Sequence, residues 1–149
     1  MSTRTAILAA AAALGVLAFA LAHGGEPTER VRALEADPMA TYVPPGGTLV
    51  DTDSQNEGTS LGKPVFARYT RMFQLTTGSS VRAVADARAT AKASGWMQVG
   101  KADARVFVAD KRAPSGRIEL GITLFEDSLL LPRDVKPPAL LVSLRHMGE

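Results

Sequence analysis

No cysteine occurs anywhere in the chain. Its absence excludes a disulfide framework, a thiolate metal site, a cysteine nucleophile and a lipid-attachment cysteine of the lipoprotein kind. Packing alone must hold the fold together. Histidine is nearly as scarce: His23 and His146 are the only two, and neither has a second ligand near it at metal spacing. Both read as exposed bystanders, and no metal or other cofactor is expected. The chain also lacks an H-E-x-x-H pair and a G-x-G-x-x-G turn, so neither motif nominates a catalytic residue. Adjacent carboxylates such as Glu126 and Asp127 would point to opposite faces of a strand and could not share a substrate. No internal repeat with a period of roughly 20–50 residues is present.

Charge of one sign is scarce as well. Seventeen basic against fifteen acidic residues leave a net charge of +2, too little to argue for nucleic acid. The distribution is more informative than the total. Residues 23–62 carry Arg30 and Arg32 against a run of acidic residues, whereas basic residues outnumber acidic ones from 63 to 149. An acidic stretch thus leads into a mildly basic one, which reads first as ordinary solvated surface.

Two motifs in residues 51–62 imitate known sites and are rejected. Asp51, Asp53 and Gln55 copy the first ligands of a calcium loop, but Asn56 stands where the loop needs glycine and Gly62 where it needs glutamate. Gly58-Thr59-Ser60-Leu61-Gly62-Lys63-Pro64 resembles a phosphate loop. Its glycines are one residue too close, Pro64 replaces the magnesium-binding hydroxyl, and a strand follows where a helix is required.

What the chain does have is one long apolar run. After Arg4 and Thr5, residues 6–22 are uncharged and include Ile7, Leu8, Leu14, Val16, Leu17, Phe19 and Leu21. Those seven side chains favour insertion into a bilayer by about 2–4 kcal/mol. As a helix the run spans about 26 Å, slightly short of a hydrocarbon core. Residues 1–22 are therefore expected to be a signal peptide or a transmembrane anchor. Length favours the anchor, and Ala20-Leu21-Ala22 favours cleavage before His23. Arg4 and the N-terminal placement put the C-terminal part outside the cytoplasm. The expected localisation is the cell membrane, single-pass, or secretion if Ala22 is the cleavage point.

Residues 23–62 read as a helical stalk and polar loop. Thr28 caps a short helix to Ala36, Val31 and Leu34 share its face, and Asp37-Pro38 stops it. Pro44-Pro45-Gly46-Gly47 turns the chain into a short strand at Thr48–Val50.

Residues 63–149, about 87 in number, are enough for a small core. Val65 to Leu75 alternate as a strand, with Arg71 interrupting the apolar side. Ser79 or Ser80 caps a helix that runs to Ser94 and ends at Gly95, its inner stripe drawn from Val81, Val84, Ala85, Ala87, Ala91 and Ala93. Trp96, the single tryptophan, reads as an anchor at the helix–sheet edge. Strands at 105–110, 117–125 and 139–145 follow, with Lys111 to Gly116 as the reversing loop. The second of these alternates Ile118, Leu120, Ile122 and Leu124 inward. The order β-α-β-β-β predicts an α+β fold, a mostly antiparallel sheet with one helix packed on one face, preceded by the membrane helix.

Leu34-Glu35-Ala36-Asp37-Pro38-Met39-Ala40, the Pro44–Gly47 turn and Ser60-Leu61-Gly62-Lys63-Pro64 together resemble a group of single-pass actinobacterial proteins, membrane-bound or secreted. In that group a similar stalk leads into a small α+β extracytoplasmic domain. The resemblance implies this architecture and no particular activity.

Two functions are open on these residues. One is a non-enzymatic binding or structural module of the cell envelope, held to the membrane through residues 6–22. Its expected partner is another envelope protein, and Arg68, Arg71, Lys92, Arg112 and Arg117 are the candidate contacts. The other is a hydrolase or other enzyme whose site lies in loops 51–62 and 110–117. A contact between the basic domain and anionic lipid is a third reading.

Overall fold

The computed structural model describes residues 25–101 and 103–148. The expected membrane segment, its cleavage triplet and His23 lie outside them. No helix among the described residues is long and apolar enough to cross a membrane.

The described residues begin with α1 (Glu29–Glu35) and a 3-10 turn at Pro38–Ala40. Thr28 caps α1 by accepting from the Val31 amide, and Asp37 caps the 3-10 turn by accepting from Met39. Then come β1 (Gly47–Gln55), β2 (Gly58–Ser60), β3 (Lys63–Val65) and β4 (Arg68–Leu75). The order finishes with α2 (Ser80–Ala93), β5 (Met97–Gln98), β6 (Val106–Ala113), β7 (Gly116–Phe125) and β8 (Ala139–Gly148). Six strands form one sheet in the order β1-β4-β8-β7-β6-β5, every pair antiparallel, and β2 and β3 form a separate hairpin. Among the described residues the fold is α+β, with an antiparallel sheet and two α-helices.

The core lies between the helices and one sheet face. Phe73 and Leu75 of β4, Phe107 and Ala109 of β6, Ile118, Leu120, Ile122 and Leu124 of β7, and Leu140, Val142 and Leu144 of β8 point into it. From α2 it receives Ala83, Val84, Ala87 and Ala91. The expected stripe differs at Val81, which is 77 % exposed, and at Ala85 and Ala93. Positions 83, 87 and 91, four apart, define the buried line, and those three residues lie off it. The small side chains let the helix sit close on the sheet. Gly95 ends it with φ +87°, the left-handed conformation glycine adopts without strain. Ser79 occupies the N-cap but makes no capping bond, because its hydroxyl pairs with that of Thr76.

Much of the expected stalk and loop is built into this fold. Val31, Leu34, Met39, Ala40 and Tyr42 belong to the same core cluster. Residues 47–55 form a full edge strand paired with β4 along its length. Their polar composition reads as loop, yet an edge strand half exposed to water accommodates it. The expected 65–75 strand is divided at Phe66–Ala67, and its first part pairs in the β2–β3 hairpin. The expected 111–116 loop is mostly strand. Only Pro114 and Ser115 turn the chain, and Ala113 pairs with Gly116.

A second, smaller apolar cluster covers the far end of the opposite sheet face. Met72, Phe125, Ala139 and Leu141 pack there under Leu131 and Val135 of the 126–138 connection.

Candidate functional site

Ladder register fixes which side chains share the sheet face opposite the helices. One cross-strand row reads Gln55, Arg68, Arg145, Glu119, Asp110 and Met97, from β1 across to β5. The next row reads Asp53, Thr70, Ser143, Gly121 and Val108. The β1–β4 side of this face is buried. Arg68 is only 9 % exposed and donates to Gln55 Oε1 at 3.0 Å, while its Nε has no partner. Burial lowers the pKa of the Arg68 guanidinium, nearby Asp53 opposes that shift, and Arg145 adds to it.

Toward β5 the face is open. Arg145 is half-buried, and its side chain makes no hydrogen bond or ion pair among the described residues. A Cβ built at Gly121 meets nothing within 4 Å. Met97, Val99 and Val106 expose apolar surface at the β5–β6 edge. The result is a mixed face: a pair of guanidiniums, two carboxylates (Glu119 and Asp110) and an apolar margin. Such a composition suits a protein contact.

The five arginines and lysines read as contacts in the sequence do not form one surface. Arg68 is buried in the row above. Arg71 faces the core side, where its Nη1 donates to the Ala40 and Tyr42 carbonyls at 3.0 and 2.8 Å and its guanidinium lies over the Phe73 ring. Its interruption of the apolar face is thereby explained: it satisfies the carbonyls at the end of the 3-10 turn and just beyond it. Lys92 stands exposed in the last turn of α2. Arg112 and Arg117 are exposed neighbours beside the Pro114–Ser115 turn, and Arg117 reaches Asp110 at 3.4 Å. Arg145, Glu119 and Gly121 escaped notice in the sequence because their grouping depends on register, which local alternation does not reveal.

Segments 51–62 and 110–117 share one end of the sheet, but β4, β8 and part of β7 lie between them. At about 4.8 Å per strand, β1 stands about 14 Å from β7 and about 19 Å from β6. The polar residues of β1 in the first segment are therefore not brought together with the second segment. Among the described residues no group of three or more histidines or carboxylates is placed to hold a metal ion.

His146 is not exposed as the sequence suggested. It is 1 % exposed on the core side of β8, because that strand continues to Gly148. Its Nδ1 accepts from the Gly148 amide at 3.1 Å, and its Nε2 has no partner.

Residues 58–65 form a plain hairpin whose tip, Leu61-Gly62, has positive φ at both positions, +50° and +74°. That is the backbone of a type I′ turn. A leucine there pays about 1–2 kcal/mol in left-handed strain, yet its side chain is 87 % exposed.

The entry of the chain is anchored at the same end. Asn56 donates from Nδ2 to the Glu26 carbonyl at 3.1 Å and accepts from the Thr28 amide at 3.0 Å. Thr28 Oγ1 donates to Glu57 at 2.6 Å. Comparisons with protein-family models, with curated proteins and with solved structures gave no match.

Proposed function

We propose that the protein is a single-pass, membrane-tethered extracytoplasmic module of the cell envelope that binds another envelope protein without catalysis. Residues 6–22 are its membrane segment, with the C-terminal domain outside the cytoplasm, and secretion follows if the chain is cut after Ala22. The reading rests on the apolar run at residues 6–22 and on the resemblance of the sequence to single-pass proteins with a small extracytoplasmic domain. The observation that carries the binding reading is Arg145. It is a half-buried guanidinium with no partner among the described residues, set beside the open Gly121 and next to buried Arg68. Glu119 stands opposite it in register without forming an ion pair, so the guanidinium keeps donors available to an acidic group of a partner.

The test is chemical cross-linking in intact cells followed by isolation of the full chain. One adduct of defined mass is expected with the native chain, and it disappears with Gly121→Trp or Arg145→Glu while the fold, checked by circular dichroism, is kept. An adduct equally strong in both variants would place the contact elsewhere. N-terminal sequencing after fractionation tests the tether, a start at His23 in the medium counting against it.

A further inference from the structure

We propose that the β2–β3 hairpin is a second membrane contact, its Leu61-Gly62 tip lying in the interface of an anionic bilayer beside the tether. This rests on the reading of residues 6–22 as a membrane segment, and it assigns that segment a partner element within the folded domain.

Three observations carry it. The first is position. Asn56 and Glu57 clasp Glu26 and Thr28, and β2 begins one residue after Glu57. The chain that comes from the membrane and the hairpin that leaves the sheet therefore start from the same point.

The second is reach. Residues 23–26 separate Ala22 from the clasp, and fully extended they cover at most about 14 Å. From Glu57 to Leu61 an extended chain covers about 13 Å. The hairpin is long enough to return to the surface the tether leaves.

The third is chemistry. Leu61 occupies a turn position that favours glycine, asparagine or aspartate, and it contacts almost nothing in the domain. Phe66, 38 % exposed, stands at the foot of the same hairpin, and Lys63 is exposed next to the tip. An exposed aliphatic tip with a lysine beside it suits a bilayer interface, the leucine entering the acyl boundary and the ammonium staying at the level of the lipid phosphates, with the exposed Phe66 further back at the foot. Arg112 and Arg117, at the β6–β7 turn of the same sheet end, add positive charge on that side.

Because the chain has no cysteine, a single one can be introduced and labelled cleanly. The full chain carrying Leu61→Cys, with an environment-sensitive fluorophore attached, is reconstituted into phosphatidylcholine–phosphatidylserine vesicles. It is compared with Leu129→Cys, an equally exposed leucine in the 126–138 connection at the opposite end of the sheet. Lys63→Cys serves as a second reporter of the tip. Flotation of the vesicles reads the tether independently. The expected result is that all three chains float and that iodide quenches the Leu61 and Lys63 probes several-fold more weakly than the Leu129 probe. Floating chains with equal quenching at all three positions overturn the hairpin contact and leave the tether standing. Chains that do not float overturn both.

Discussion

Trp96 donates its indole N–H to Asp37 Oδ1 at 3.2 Å across 59 residues of sequence. The other oxygen of that carboxylate accepts from Lys111 Nζ at 2.9 Å, and the same ammonium lies over the Trp96 ring. One buried carboxylate thus joins the end of α1, the exit from α2 and strand β6. Asp37→Ala should destabilise the protein by about 2–3 kcal/mol, since it leaves an indole N–H and a mostly buried ammonium without acceptors. Asp37→Asn keeps an acceptor and should cost about 1 kcal/mol. Urea titration followed by Trp96 fluorescence measures both.

Tyr42 gives a pH dependence of known sign. Its hydroxyl donates to Asp86 at 2.8 Å. Burial first, then that hydrogen bond and the Asp86 charge, hold the phenol well above its ordinary value of 10.0. The neutral form is favoured by folding, so its contribution is complete below pH 10 and is lost as the pH rises beyond it. Stability measured by denaturant titration should fall on that alkaline side. Tyr42→Phe should lose about 1 kcal/mol at neutral pH and show a shallower alkaline decline.

Arg71 and Arg112 separate a structural arginine from a surface one. Arg71→Met leaves the Ala40 and Tyr42 carbonyls without their donor and should cost about 2 kcal/mol in thermal or chemical denaturation. Arg112→Met, on an exposed residue, should change stability by no more than about 0.5 kcal/mol.

Two glycines of the same strand should respond oppositely to a methyl group. At Gly116, φ is +123° and an added Cβ would lie 2.7 Å from the Gly148 carbonyl oxygen. Gly116→Ala should lower stability by about 2 kcal/mol or more. At Gly121 the Cβ meets open space, and Gly121→Ala should be neutral or raise the melting temperature slightly.

These residues also show what a linear reading can and cannot reach. The inward set Ile118, Leu120, Ile122 and Leu124 and the stop at Gly95 were legible, because periodicity and left-handed glycine are local properties. Strand β1 was not. Asp51, Thr52, Asp53 and Ser54 look like turn residues until β4 supplies their ladder. Arg71 breaks its pattern for a reason that lies some thirty residues away, at Ala40 and Tyr42. His146 passed for a terminal bystander because nothing local extends β8 to Gly148. The Arg68–Arg145 neighbourhood exists only through the β4–β8 register.

The Asn56 clasp has a mechanical meaning. Were α1 the first attachment, tension on the N-terminal segment would peel a seven-residue helix from the sheet one turn at a time. Instead the hydrogen bonds at Glu26 and Thr28 pass the load to the connection between β1 and the hairpin. From there it is shared along the whole β1–β4 ladder. Asn56→Ala should therefore lower the force at which the tethered domain first yields, in single-molecule pulling from the N-terminus, far more than in pulling from the C-terminus. Pulled from its N-terminal side, the domain is gripped where the short β2–β3 hairpin leaves β1, and not at the small helix that follows the clasp in the chain.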